Sequence, residues 1–378
     1  MATEYLTNDI ELTSVADAIR EKGGTSDPLT YPDGFASAVR AIQTGIVPQL
    51  VVTVSAGATV IATNGSKTIS GTSDSTGVCT LIVPEAGTWS VSATLDGKTS
   101  DTKTVSITDS YAVSLNFVYP SLNENTWETI KNISDAEQGA NYWSVGDRKA
   151  VTLNGTVGHL TLSNYTTYAF VIGFNHNASL EGENCIHFQL AKTALSGGTD
   201  VCFCDNYYTS PVSTTGYFSM NSSATNSGGW ASSQMRTNIC GTSLSSYSGT
   251  IIAVIPTALR AVLKSVTKYT DNTGNNSTSA SAVTATKDYF FLLSEFEVFG
   301  SISRANSNEA SKQAQYAYYS AGNSKVKYKH NGTSAAARWW LRSPLASNSD
   351  GFENVNTDGT VEDRTARASF GFAPGFCV

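Results

Sequence analysis

The hydrophobic rhythm of the chain changes three times, and each change marks a shift of element type. Near the N-terminus Leu12, Val15, Ala18 and Ile19 recur at helical spacing, with Thr13 or Ser14 as N-cap candidates and Gly23-Gly24 as the stop. A second helix follows Tyr31–Phe35: Phe35, Val39 and Ile42 share a face, and the pattern ends near Gly45. The period then drops to two. Short alternating runs (Leu50–Val54, Thr80–Val83, Thr88–Ser92, Thr104–Ile107, Ala112–Leu115) alternate with Gly, Asp and Ser turns, which predicts an antiparallel sandwich. Beyond residue 119 the pattern is mixed. Trp127, Ile130 and Ile133 predict a helix capped by Asn125 or Thr126, and the YWSVGDRKAVTLNG stretch turns into a strand. Thr167–Phe174 and Cys185–Leu190 read as core strands. Gly228–Arg236 reads as a loop entering a helix with Ser232 or Ser233 near its cap. Ala258–Val266 fits either helix or extended chain, Asp288–Gly300 reads as a strand followed by a turn, and Ala314–Ser320 as a Tyr-rich helix or loop.

The C-terminal forty or so residues have their own layout. Trp339, Trp340 and Leu341 form one bulky apolar cluster, and Phe370, Phe372, Pro374 and Phe376 a second. Between them about 25 residues, mostly Asn, Asp, Ser, Thr, Glu and Arg, show little periodicity. Two anchors around a polar excursion describe a rigid scaffold holding out a long binding loop.

The 378 residues leave room for two or three domains. With 40% hydrophobic and 15% charged residues the chain is an ordered globular one, and its formal net charge of −7 provides no basic footprint for nucleic acid or an anionic membrane. The acidic start MATEYLTNDIELT does not read as a secretory signal, and no apolar run approaches a membrane span. Reduced thiols are therefore the expectation for the 6 cysteines. Cys202 and Cys204 would point to one face of a strand without a matching second pair, and His176 and His187 read as packing or hydrogen-bonding residues. No nucleophile elbow, phosphate-binding loop, dinucleotide fingerprint or HExxH zinc motif is present, so the chain reads as a binding protein and not an enzyme.

Several stretches resemble known families. LTSVADAIREKGGTSDPLTYPDGFASAVRAI resembles a segment of phage and prophage tail proteins, which implies attachment to a virion. Pro84–Val91 resembles the immunoglobulin-like or prealbumin-like spacer domains of surface and tail proteins. ANYWSVGD, VIGFNHN, GGWASSQMR, FFLLSEFEVFG and ARWWLRSP, in that order, resemble a family of C-type-lectin-like domains from gut bacteria and their phages. The WWLRSP phrase, the polar run after it and the Gly371–Phe376 close resemble the variable proteins of diversity-generating retroelements, in which an Asn-rich template is copied with errors at adenines.

The expected fold is thus multidomain, α+β and all-β: helices over 1–46 for virion attachment, an Ig-like sandwich over 47–118, and a C-type-lectin-like α+β domain over 119–378. The resemblance implies a phage tail adhesin, assembled in the host cytoplasm without a signal peptide and carried on the virion tail. Its partners would be a bacterial surface protein or glycan and other tail proteins, with a homotrimer as its form, and neither nucleic acid nor membrane insertion is expected. Under that reading Ser347, Asn348, Asp350, Gly351, Asp358, Thr360, Asp363, Arg364, Thr365, Arg367, Ser369 and Phe370 are the varied positions. Phe352, Glu353, Asn354, Asn356 and Glu362 complete the ligand-binding surface of 346–370. Glu353 and Glu362 depart from the pattern, because Glu does not arise from an Asn codon by adenine changes alone. Phe352, Arg364, Arg367 and Phe370 are the expected hot spots. No cofactor is expected; calcium, if bound, would be held by Glu353, Asn354, Asp358, Glu362 and Asp363. The alternatives are a structural tail or baseplate component, or an oxidase of the formylglycine-generating type working through Cys377.

Overall fold

The computed structural model describes residues 9–23, 26–41, 48–65, 67–194, 197–208 and 215–378. These fall into two units, Met1–Gly97 with Thr102–Leu115, and Lys98–Asp101 with Asn116–Val378.

The first unit opens with helices Asp9–Gly23 and Asp33–Ala41. The first begins four residues before the expected caps, and Ser14 sits inside it, its hydroxyl donating to the Ile10 carbonyl at 2.9 Å. Its inward stripe also differs: Ala16 is buried and Leu12 and Ile19 half-buried, whereas Val15 and Ala18 face solvent. Ile42 and Gly45 lie outside the described residues. Two sheets follow. Strands Val78–Ile82, Gln49–Thr53 and Ser110–Ser114 form one. Strands Lys67–Thr72, Thr59–Asn64, Gly87–Leu95 and Lys103–Ile107 form the other. All five alternating runs in the sequence therefore become strands. Leu50, Val52, Val60, Ala62, Trp89, Val91, Val105 and Ile107 are the buried alternate positions that fill the core. At Gly71 an added Cβ would come within 2.9 Å of both Leu81 and Cys79, so the two sheets touch there across a residue with no side chain.

The second unit is α+β. Thr126 caps the expected helix, Trp127–Asp135, by accepting the Thr129 N–H at 3.0 Å, and Trp127, Ile130 and Ile133 face inward. A five-stranded antiparallel sheet has the order Phe290–Phe291, Gly375–Cys377, Ile186–Lys192, Leu160–Phe174, Arg148–Val157. Its strand Gly375–Cys377 is flanked on both sides, by Phe290–Phe291 and Ile186–Lys192, so residues 375–377 are core. Smaller sheets pair Val266–Asp271 with Val283–Asp288, and join Trp339–Pro344, Gly351–Val355 and Val361–Thr365 in that order.

Asp288–Gly300 departs from its expected strand. Extended chain ends at Phe291, and Glu295–Phe299 is helical. The cause is local: Ser294 accepts the Glu297 N–H at 3.1 Å and Glu297 accepts the Ser294 N–H at 3.0 Å, a reciprocal cap that starts a helix. Gly228–Arg236 likewise gives two short turns, Gly229–Ser232 and the wider Met235–Cys240, and Ser233 Oγ accepts the Arg236 N–H between them. The ambiguous Ala258–Val266 resolves into a short helix, Thr257–Arg260, followed by the strand from Val266.

Glu297 is held by charge from two sides. Arg342, fully buried, binds it through both terminal nitrogens at 2.5 and 2.9 Å and also meets Thr270 Oγ1 at 2.7 Å and the Leu292 carbonyl at 2.8 Å. Lys268 Nζ, also buried, reaches Glu297 at 2.9 Å, Glu181 at 2.5 Å and the Tyr316 hydroxyl at 2.8 Å. Burial alone would raise the Glu297 carboxyl, but Arg342 and Lys268 hold it well below the usual carboxylate range. Removing one partner of such a group strands the other in a low-dielectric interior. Arg342→Leu is therefore expected to destabilise this unit by about 3–5 kcal/mol, read as the shift of its unfolding transition in denaturant. A shift under about 1 kcal/mol would mean that the pair contributes no more than a surface one.

Candidate functional site

The polar excursion after Pro344 is not a loop throughout. Strands Gly351–Val355 and Val361–Thr365 pair antiparallel, with Glu353 opposite Asp363 and Phe352 opposite Arg364. The turn between them is closed by the Asn356 N–H to the Thr360 carbonyl at 2.8 Å. Gly359, at φ +86°, takes the left-handed position that a side chain would strain. The Asp358 carboxylate accepts from the hydroxyl (2.6 Å) and N–H (3.0 Å) of Thr360, which hold it below the usual carboxylate range. Both apolar anchors behave as expected. Trp339, Trp340, Leu341, Phe370, Phe372 and Phe376 are fully buried, and the Trp340 and Phe370 rings meet at 4.7 Å.

This hairpin divides the expected binding residues into three groups. Ser347, Asp350, Asp358, Thr360 and Arg367 are exposed. Asn348, Asn356, Glu362, Asp363, Arg364 and Thr365 are half-buried, and their charges are already paired. Arg338 meets Glu362 at 2.9 Å, Arg364 meets Glu362 at 2.6 Å, and Arg304 binds Asp363. Gly351, Phe352, Glu353, Asn354, Ser369 and Phe370 are buried, and for these the expectation of a partner-facing role is corrected. Gly351–Val355 is the middle strand of its sheet, covered by neighbours on both edges, and Ser369 Oγ is spent on Asp205 Oδ1 at 2.8 Å. Phe352 and Phe370 are thus packing residues, and of the expected hot spots Arg367 alone is both exposed and unpaired among the described residues.

Arg367 is presented rigidly. Its neighbours Ala366 and Ala368 are buried, the Ala366 carbonyl accepts the Asn221 N–H at 3.0 Å, and Ala368 forms a bridge with Thr215. The Phe218 carbonyl receives the Trp340 indole N–H at 2.7 Å, and the Phe218 N–H donates to Asp205 Oδ2 at 2.7 Å. Asp205 and the described residues 215–221 therefore carry the hairpin's base. Sequence reading missed this, because nothing local to 205–221 announces contacts with residues some 150 positions later. On the other side of the hairpin Ser303, Arg304, Ala305, Ala346, Ser347 and Val361 line an open hollow of about 540 Å³.

The expected calcium ligands do not converge. Asp358 is at the turn, Glu362 is held by Arg338 and Arg364, Asp363 by Arg304, and Glu353 faces inward. Donor atoms do gather in two buried groups, Cys185 with His187 and Cys377, and His176 with Glu181 and Glu297, each within 4.8 Å. The second group is already neutralised by Lys268 and Arg342. In the first, Cys185 and Cys377 are joined as a disulfide across neighbouring strands, with Cα atoms 5.9 Å apart, where free thiols were expected. Cys202 and Cys204 do point the same way, their sulfurs 4.0 Å apart and buried. His176 stacks on Tyr316 at 3.7 Å, and His187 Nδ1 meets the Tyr316 hydroxyl at 3.1 Å, as packing and hydrogen-bonding residues would. Burial first, then Lys268, push His176 down to about 3, so it stays neutral.

Residues 210–378 match a family described as a domain of unknown function (DUF6273). That stretch is less than half of the chain, and no curated protein matches it. Among the described residues no helix is long and apolar enough to cross a membrane.

Glu353 is the costliest residue of the hairpin. Neither of its oxygens meets a donor, and burial first, then the adjacent Glu295 carboxyl, push its pKa well above the usual range. The Glu295 oxygens accept from Ser303 and from the Arg304 and Ala305 N–H groups, which fixes that carboxyl beside Glu353. Its raised pKa contributes stability that is fully present below the unfolded-state value near ~4.3 and is lost as pH rises through the folded one. Glu353→Gln, which keeps a neutral donor, removes that loss. The difference in melting temperature between variant and wild type should therefore grow in the variant's favour from pH 5 to pH 9. A difference independent of pH would show that Glu353 is ionised in the fold.

Proposed function

We propose that the chain is a phage tail adhesin, with helices that attach it to the virion, an immunoglobulin-like spacer, and a C-type-lectin-like head that binds a bacterial surface receptor. The observation that carries this reading is Arg367: an exposed, unpaired guanidinium fixed between two buried alanines, flanked along the hairpin by Ser347, Asp350, Asp358 and Thr360. A charged side chain on a stiff backbone loses little freedom on binding, and an unpaired one forfeits no internal partner. The contrast between a tolerant outer rim and a packed inner face is what diversification by a retroelement would require, with variation confined to the outer positions. The exposed apolar residues Ile10, Val15 and Val39 on the first two helices give a virion protein something to cover. A homotrimer would raise the avidity of weak single contacts.

Arg367→Ala is expected to lower adsorption of the purified protein to host cells about tenfold or more, the cost of a typical hot spot, with its melting curve unchanged. Unchanged adsorption would remove Arg367 from the contact surface and leave the structural tail component as the reading.

A further inference from the structure

A second concavity lies on the segment that supports Arg367, and its lining is chemically selective. Tyr207, Thr215, Tyr217, Ser222, Gln234 and Asn238 surround a cavity of about 290 Å³ floored by Ile239. The volume is at the small end of ligand sites and suits one sugar ring or a short oligosaccharide end. Among the described residues the lining contains no Asp, Glu, Lys, Arg or His, so a charged ligand would find no counter-charge among them. We propose that this pocket binds a neutral sugar. The proposal rests on reading the surrounding face as receptor-binding, and it names the chemical class that the face takes.

Two features argue for a sugar. The first is aromatic. Tyr207 and Tyr217 remain 37% and 46% exposed although both border the pocket, and His159 stacks against Tyr217 at 3.4 Å, which fixes that ring's tilt. A pyranose has an apolar C–H face that packs on such a ring, whose π-cloud attracts the weakly positive hydrogens. The second is the opposing set of amides and hydroxyls. Gln234 is held in one orientation, its Oε1 accepting the Ser222 N–H at 2.9 Å and its Nε2 donating to Ser222 Oγ at 3.1 Å. That leaves one amide hydrogen for a ligand. Asn238 Oδ1 accepts from Thr237, and its amide hydrogens have no partner among the described residues. Gln234 caps the wide turn Met235–Cys240 and Asn238 lies within it, a geometry that recurs at functional sites.

The pocket is also prebuilt. A Cβ at Gly158 would press on Tyr217 and Ile239 at 3.0–3.1 Å, so the backbone there closes directly onto the pocket wall. A Cβ at Gly216 would fall 2.3 Å from that of Ser369, which locks the pocket segment to the residues just after Arg367. A sugar held here would have its outward end beside the Arg367 rim.

The test is saturation-transfer NMR on the full chain with methyl glycosides of glucose, galactose, mannose and N-acetylglucosamine, and with a neutral tetrapeptide. Transfer to the ring protons of at least one glycoside is expected. Its affinity should fall about tenfold in Tyr217→Ala, hold in Tyr217→Phe, and fall in Asn238→Ala, while Arg367→Ala keeps it. No transfer to any glycoside, transfer to the tetrapeptide alone, or equal transfer in wild type and Tyr217→Ala would overturn the sugar pocket. The receptor reading fails separately. Loss of adsorption in Arg367→Ala without sugar binding removes only the pocket, whereas sugar binding lost in Tyr217→Ala with adsorption intact in both variants supports the pocket and removes only the receptor reading.

Discussion

A guanidinium sealed from water, that of Arg342, is the constraint from which the second unit is built. It sits in the strand Trp339–Pro344, and its partners come from elements far apart in the chain: Thr270, Leu292 and Glu297. Lys268 extends the same network to Glu181 and Tyr316. Each of these charges is costly to bury alone, so only the arrangement that brings all of them together is tolerated. The balance is uneven: Arg342 and Lys268 hold Glu297 well below the usual carboxylate range, while burial pushes Glu181 up. A network of this kind selects one packing over its near neighbours, and the hairpin inherits that rigidity because Trp339–Pro344 pairs with its first strand, Gly351–Val355.

From this follows the division of labour within the hairpin. On the inner side Glu353 lies beside the Glu295 carboxyl, and on the outer side Glu362 and Asp363 are paired by Arg338, Arg364 and Arg304. The division runs by position and not by alternation: all of Gly351–Val355 is buried and all of Val361–Thr365 half-buried, while the exposed residues sit in the turn and beyond the strand ends. The Thr215–Ala368 bridge and the Asn221–Ala366 hydrogen bond bring the Tyr207–Tyr217 pocket up to the residues on either side of Arg367.

Much of the fold was legible from periodicity. The alternating runs before residue 118 and the Trp127–Ile133 helix stood out because burial there is one-sided and local. The anchors were legible for the same reason, since a Trp-Trp-Leu run has no exposed solution. The errors have a common cause. In Ser294–Glu297 a capping pair, visible as Ser-x-x-Glu, outweighed the strand-like run of Phe and Leu before it. In 346–370 the polar composition concealed two strands, although Asp358-Gly359 is a hairpin turn signal. Glu353 and Asn354 were read as surface because buried polar residues carry no local mark. The pocket on 205–239 was not legible, because its walls meet only after distant strands have paired.

The most direct test of the central claim is a displayed library in two parts. One randomises Ser347, Asp350, Asp358, Thr360 and Arg367; the other randomises Phe352, Glu353, Asn354, Ser369 and Phe370. Folded clones would be counted by protease resistance. If the scaffold carries recognition on its outer face, nearly all clones of the first set stay folded and differ in the bacteria they bind, while few of the second survive. Equal survival in the two sets, or collapse of the first, would contradict the account.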